Sequence, residues 1–596
     1  QNAYLRARSA YAPMKNVDPD AIWLYQGWVW RGFSYEQLPF IKGFVEAVPK
    51  GNFVVLDMYD EEMEQWELFN DFSYFDAPFI WSVLHNFGGN TGMWGSIPLL
   101  NSRPFRAFEN RNNSVAGTGF APEGFDQNPP YYTFITDVNW MEEPCTDLQQ
   151  WWKNYAAQRY GLIDDDGGDK GGGDDDDVIR GSTSRGHSAS SSPALPLLQR
   201  AWIILGNSVY GKDQPSVQEQ GFMCEKAREG LTVLPLGGGE DQPQHEWYEL
   251  SKALSAWKML VKGSLSIISN QEQHRRGKSR RKSGSSSSND LHSSSASSTS
   301  SSSSSSPPRS VFPSTLNYDI VNVGREVLAK VSTRMFFHMT NATTPSAVNS
   351  TGQKLLDIQR DADELLCSDP GFRVAEWISQ ATSMADVLIE EGRGRESSSS
   401  SSRIDDIRRY FELNARSQPT TWEPQQKGST QLTGIVDYAN KHWGGLVGSF
   451  YRGRTKCYID QYMEDFCGGD DDSCSPMDIA GEGTSASFNK TSYIKRVAEW
   501  SYQWTHDFGA RRYPLCAYDE VKHVAALSSV SSSTATTRKL DREGSTNYGI
   551  IGGQRIDNDD DTGDNDNTAL AVPAAVSISR RLISKYSACV EDPQQC

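Results

Sequence analysis

No run of about 18 consecutive apolar residues occurs in the 596-residue chain, so no segment is suited to cross a membrane as a helix. Positive charge is also scarce. The 58 Lys and Arg against 76 Asp and Glu leave a net charge of −18, which argues against a nucleic-acid partner. A polyanionic substrate would have to be met by a local basic site. Nine cysteines are present, but no two form a CxxC pair or fall at metal-ligand spacing, so no zinc or other metal is expected. A Ser-His-Asp arrangement, a phosphate-cradling glycine loop and an HExxH helix are likewise missing. Gln1 stands where a start methionine would, and no charged-then-apolar leader follows, so the chain reads as beginning inside a protein.

What is abundant is aromatic surface. The 17 Trp, 24 Tyr and 24 Phe, with 37% hydrophobic residues overall, can build a large core in more than one domain. Five low-complexity stretches lower the average hydropathy: 164–192, 271–308, 392–402, 468–487 and about 528–567. Ser, Gly and Asp bury too little apolar area to offset chain entropy, so these read as disordered insertions. The basic run HRRGKSRRK at 274–282 can be read as a nuclear-localisation or polyanion-binding patch, or as a solvated part of the serine tract. N-x-[ST] sequons begin at Asn112, Asn341, Asn349 and Asn489, in keeping with a secreted or lysosomal glycoprotein.

Residues 1–145 alternate strand-like and helix-like apolar runs, the βα pattern of a parallel α/β domain. Strands are predicted at Ala21–Leu24, Phe53–Leu56, Phe79–Leu84 and Val115–Gly119. Function in such a domain sits at the C-terminal strand ends, where Trp28, Asp57, His85, Asn86 and Glu123 fall. From residue 146 the pattern turns helical. Thr146 and Gln149 have capping-box spacing, and Leu148, Trp151, Trp152, Tyr155 and Ala156 follow on one face until Gly161. Similar stretches recur at Ala201–Tyr210, Glu246–Val261, Val321–Met339, Leu355–Leu366, Ile404–Asn414, Ile435–Tyr451 and Tyr493–Asp507. Residues 146–596 thus read as an α-helical domain interrupted by the insertions.

Glu123 lies between Pro122 and Gly124 directly after a strand, a rigid residue before it and a permissive one after it, which suits a carboxylate aimed into a cleft. The same pattern also describes a solvated turn residue. In LHNFGGN (84–90), His85 and the asparagines could recognise hydroxyls, or could serve the backbone of a turn. Trp28 and Trp30 could stack on a sugar or pack in the core. Asp57 could be a second carboxylate, although a strand-end Asp commonly caps the next element.

APFIWSVLHNFGGN (77–90), GTGFAPEGFDQN (117–128), WWKNYAAQRYG (151–161), TTWEP (420–424) and IVDYAN (435–440) together resemble, in order and spacing, the alpha-N-acetylglucosaminidases of glycoside hydrolase family 89. The resemblance covers 21–161 closely and the helical segments to about 513 more loosely. It implies the C-terminal half of a (β/α)8-type catalytic barrel followed by a helical domain that helps close the active site. It further implies Glu123 as catalytic nucleophile, Trp28 as an active-site aromatic, Trp422 and Tyr438 as residues lining the sugar pocket, and His85 and Asn86 as part of a turn by the cleft. The implied activity is removal of terminal alpha-linked N-acetylglucosamine, by retention, from heparan sulfate or another glycan in the lysosome or outside the cell. No cofactor is implied, no nucleic-acid or membrane partner is expected, and homo-oligomerisation is left open. One departure stands out: the family's general acid is a Glu directly after an Asn, and no Asn-Glu dipeptide occurs in the chain. The acid is expected upstream of Gln1, and the chain alone is expected to be inactive. The alternatives are an inactive sugar-binding remnant and a related glycosidase with another substrate.

Overall fold

The computed structural model describes residues 2–67, 74–86, 88–89, 92–110, 114–124, 128–162, 192–211, 231–232, 247–282, 312–393, 401–467, 487–508, 515–516, 572–592 and 595. Most of the low-complexity stretches, including all of 528–567, lie outside the described residues.

Four short strands, β1 (Trp23–Gln26), β2 (Phe53–Met58), β3 (Phe79–Val83) and β4 (Val115–Phe120), form one all-parallel sheet in sequence order. The expected strands were located to within two residues at either end. Aligned registers, with Gln26 opposite Leu56, Met58 opposite Ser82 and Val83 opposite Phe120, bring all four C-terminal ends to one side. Alternation then divides the side chains. Phe53, Val55, Phe79, Trp81 and Val83 are buried on one face, whereas Leu24 on the other face of β1 is 55% exposed. Helices α1 (Asn2–Val17) and α2 (Leu38–Val45) pack together, and Phe44 of α2 packs tilted or edge-on against Trp23, Tyr25, Trp30 and Phe53. After β3 come α3 (Ile97–Leu100) and α4 (Arg103–Glu109), and after β4 comes α5 (Pro129–Val138).

The remaining elements among the described residues are helices. Helix α6 (Leu148–Tyr160) ends, as its sequence predicts, at Gly161 in the left-handed conformation (φ 63°), but its N-cap is Asp147, whose carboxylate accepts from Gln150 N–H, rather than Thr146. It is followed by α7 (Leu195–Gly206), α8 (Leu250–Lys282), α9 (Ser314–Thr340), α10 (Pro345–Cys367), α11 (Val374–Arg393), α12 (Ser401–Ser417), α13 (Arg452–Cys467), α14 (Lys490–Thr505) and α15 (Ala574–Glu591). Around the central α9, every residue from Asp319 to Thr333 is buried. One apolar cluster runs continuously from the sheet through α6 and α7 into this bundle, so the two halves share a core.

Two expectations are corrected here. Helix α8 continues to Lys282 and includes the basic run, so a disordered insertion cannot start at 271; Lys, Arg and Gln propagate a helix well once it has begun. Ile435–Tyr451 is not an amphipathic helix. Its first part is a loop, entered through Gly434 (φ 83°) and with Asp437 and Gly445 at positive φ (63° and 83°), and only Leu446–Tyr451 coils, as a short π-helix leading into α13.

Candidate active site

The carboxylate of Glu123 sits in the turn after β4, exposed at the C-terminal edge of the sheet. Its Oε2 accepts from two donors: Gly88 N–H, in the turn after β3, and the Tyr438 hydroxyl at 2.7 Å, from the loop before the π-helix. Oε1 takes no hydrogen bond from the described residues. Residues 315 positions apart thus meet on one oxygen.

Each partner is itself held. Asp437, immediately before Tyr438, is buried and paired with the Arg454 guanidinium through two bonds of 2.9 and 3.0 Å, a planar fork that fixes the backbone at positive φ from which Tyr438 projects. Lys441 donates to the carbonyls of Gly88 (2.9 Å) and Gly89, pinning the glycine turn to the same loop. Both glycines have φ near +60°, and a Cβ on Gly88 would lie 2.1 Å from the Tyr438 carbonyl oxygen, so the loops approach as closely as only glycine permits.

Beside Glu123 is an apolar wall. Met58, Leu84 and Trp94 are buried, and half-buried Trp28, Tyr59, Trp247 and Tyr438 pack against them. Tyr59 meets Trp28 edge-on at 6.2 Å, the Arg31 guanidinium covers both rings at 5.0 and 4.6 Å, and Trp422 meets Tyr438 edge-on at 5.2 Å. The structure therefore gathers Glu123, Trp28, Tyr438 and Trp422, all singled out from sequence, on one side of the molecule. Trp30 is core.

His85 and Asn86 stand behind this wall instead of on it. His85 is fully buried, stacked between Trp94 (4.2 Å) and Tyr131 (4.1 Å), with Nδ1 2.6 Å from the Tyr132 hydroxyl and Nε2 3.0 Å from the Trp94 carbonyl. Asn86 Nδ2 donates to the Gly124 carbonyl and to Tyr132 at 2.8 Å. As placed, both are buried and brace the Glu123 turn. Asp57 is also buried, its Oδ2 accepting from Trp66 N–H at 3.0 Å, the capping role rather than a second reacting carboxylate. Sequence reasoning missed Tyr59, Trp247, Lys441 and the Asp437–Arg454 pair; only Asp437 and Lys441, within and next to IVDYAN, had a nearby signal.

Four buried carboxyls surround this scaffold. Burial raises Glu61, which accepts from the N–H groups of Leu84 (3.1 Å) and His85 (2.5 Å), to about 7. Asp363 likewise rises to about 7 although its Oδ1 accepts from Gly445 and Gly448 N–H, each at 2.7 Å. Asp57 and Asp60 rise through burial, and Asp60 further through repulsion from Asp57. A carboxyl whose folded pKa is raised adds stability that is complete below its unfolded pKa, about 4, and is lost as pH climbs through the folded value. His442, held well below its usual value by burial and then by Arg325 and Lys330, acts the other way and loses stability on acidification. With four carboxyls against one imidazole, the melting temperature is expected to be several degrees higher at pH 5 than at pH 7.5. A flat or inverted profile in calorimetric scans would contradict this.

Residues 2–142 match the alpha-N-acetylglucosaminidase tim-barrel domain and residues 302–526 the C-terminal domain of the same family. Human alpha-N-acetylglucosaminidase is 25% identical over 471 residues, which are 78% of this chain and 48% of the human protein. A family 89 glycoside hydrolase of Clostridium perfringens, solved in complex with its substrate GlcNAc-alpha-1,4-galactose, superposes with a TM-score of 0.57 at 19% identity, covering 89% of this chain and 46% of that one. Its complex with PUGNAc gives 0.55, at 19% identity and 88% and 46% coverage. The four-stranded parallel sheet, with Glu123 at a strand end, lies within the stretch that matches a tim-barrel domain, which puts the chain in the tim-barrel class. Within that class it belongs to the alpha-N-acetylglucosaminidase family, and it spans about half the length of the relatives it matches.

Proposed function

We propose that this chain carries the nucleophile and the sugar-binding wall of a retaining alpha-N-acetylglucosaminidase, with Glu123 as the nucleophile. The observation that carries the reading is the Glu123 carboxylate held through Oε2 by Tyr438 and Gly88 beside the aromatic wall, with Oε1 taking no hydrogen bond from the described residues. In an alpha-linked gluco sugar the 2-acetamido group is cis to the leaving group, so its carbonyl cannot displace that group from the opposite face. An enzyme carboxylate must attack C1 in its place. In this reading Glu123 forms the glycosyl-enzyme bond while a carboxylic acid about 5–5.5 Å away protonates the leaving oxygen and then activates water. That acid/base comes from outside residues 1–596, which contain no Asn-Glu dipeptide. Trp28, Tyr59, Trp247 and Trp422 offer flat faces to the sugar.

A terminal alpha-linked N-acetylglucosamine of heparan sulfate or a similar glycan is the proposed substrate, and a lysosomal or extracellular site the proposed location. The disulfide between Cys367 and Cys516 supports an oxidising compartment, and carboxyls that stabilise the fold in acid suit a lysosome. The test is to assay the full-length protein that contains this chain against aryl alpha- and beta-glycosides of N-acetylglucosamine and glucose, following the first-formed anomer by NMR. Hydrolysis of the alpha-N-acetylglucosaminide with net retention is expected. Preference for a beta-glycoside, or inversion, would overturn the reading.

A further inference from the structure

Helix α9 carries Asn322, Arg325, Glu326 and Lys330 in full burial. A buried ion cluster is a poor source of stability, since apolar residues of similar volume often serve as well or better. What distinguishes this one is where its partners come from. Glu326 Oε2 accepts from Met93 N–H (3.0 Å) and Arg325 Nη1 (3.1 Å), and Oε1 accepts from the Tyr248 hydroxyl (2.7 Å), with Lys330 Nζ 3.8 Å away. Arg325 Nη1 also lies 3.3 Å from His442 Nδ1. A guanidinium only donates, so the imidazole accepts there and is neutral.

Two segments far apart in sequence, at Met93 and Tyr248, therefore meet on the Glu326 carboxylate, a third, at His442, joins them through Arg325, and each adjoins a residue of the aromatic wall or of the Glu123 turn. Met93 precedes Trp94, Tyr248 follows Trp247, and His442 lies four residues after Tyr438 and next to Lys441. Lys330 also underlies Trp247, 4.3 Å from its ring. None of these α9 groups is exposed to the cleft, so none can touch a sugar.

We propose that Glu326, acting with Arg325 and His442, is a positioning group that registers the helical domain on the sheet and so sets the Tyr438 hydroxyl on Glu123. The proposal rests on reading Glu123 as the nucleophile. A shift of about 1 Å in a group that orients the reacting atoms can cost about a hundredfold in rate, whereas substrate contacts made elsewhere on the wall are untouched. Loss of the registration therefore appears in kcat more than in KM.

The experiment is a double-mutant cycle in the full-length protein on an aryl alpha-N-acetylglucosaminide. His442→Leu, which removes the acceptor for Arg325, is expected to lower kcat by about ten- to a hundredfold with KM changed less than about threefold. His442→Gln, whose amide oxygen can still accept, should recover most of the rate. In a Tyr438→Phe background, His442→Leu should cost less than about twofold more, because the residue it positions is already gone. Glu326→Gln alone would strand two buried cations, so it is paired with Lys330→Met, which keeps the buried net charge constant; this variant should show the same dependence on Tyr438. Equal losses with and without Tyr438, or a lower melting temperature with kcat intact, would overturn the proposal. An inactive wild type, or a fully active Glu123→Gln, would instead overturn the functional reading beneath it.

Discussion

Glu123→Gln in the full-length protein is expected to lower kcat on an aryl alpha-N-acetylglucosaminide by about 10⁴-fold or more, with KM little changed. The substitution keeps side-chain length and leaves an amide oxygen that can still accept from Tyr438 and Gly88, so the turn should stay as it is. What disappears is the charge that attacks C1. A slow fluorinated alpha-N-acetylglucosaminide should label Glu123, found by digestion and mass spectrometry. An active enzyme labelled on another carboxylate would refute the assignment, and global unfolding of the variant would assign Glu123 a structural role.

Gly88→Ala should be the second most damaging change, although no atom of Gly88 need touch the sugar. An L-residue at φ +61° costs about 1–2 kcal/mol, and the new methyl would lie 2.1 Å from the Tyr438 carbonyl oxygen and 2.7 Å from Ala439 Cα. Those are backbone atoms that no rotamer change can clear. The Tyr438 loop must move from the Glu123 turn, and kcat/KM is expected to fall by at least about a hundredfold. Gly32→Ala and Gly51→Ala are the matched controls: both glycines have positive φ (86° and 92°), but nothing lies within 4 Å of the added carbon. They should cost some melting temperature and leave kcat/KM within about twofold. Gly88→Ala with wild-type kinetics would show that the contact does not set the site.

Legibility in the sequence followed periodicity. The strands were found because apolar runs of four to six residues bounded by turns are a local signal, and α6 because its buried Trp152, Tyr155 and Ala156 recur at helical spacing before a glycine. Where spacing was taken without the backbone, it misled. Thr146 and Gln149 fit a capping box, yet Asp147 makes the bond, since a cap depends on which residue leaves helical geometry. Ile435–Tyr451 has apolar residues at helical intervals, but glycines and a buried Asp437–Arg454 pair hold its first half in an open loop. For His85, which shares a turn with two asparagines, the sequence leaves hydroxyl recognition and turn geometry equally open. Stacking between Trp94 and Tyr131 turns it inward.

The sequence by itself determined the parallel α/β region, the helical region after it, and the position of Glu123 at a strand end, because each depends on residues adjacent in the chain. The family resemblance added Trp28, Trp422 and Tyr438 as residues of one site. Only the tertiary structure decided that Tyr438 lies on Glu123, that Gly88 must be glycine to let it do so, and that Glu326 ties Met93, Tyr248 and, through Arg325, His442 into one joint. Those contacts join loops and a buried helix separated by tens to hundreds of residues. A hydrogen bond between such segments leaves no period in either, and it exists only once the shared core has brought the sheet and the helical domain together.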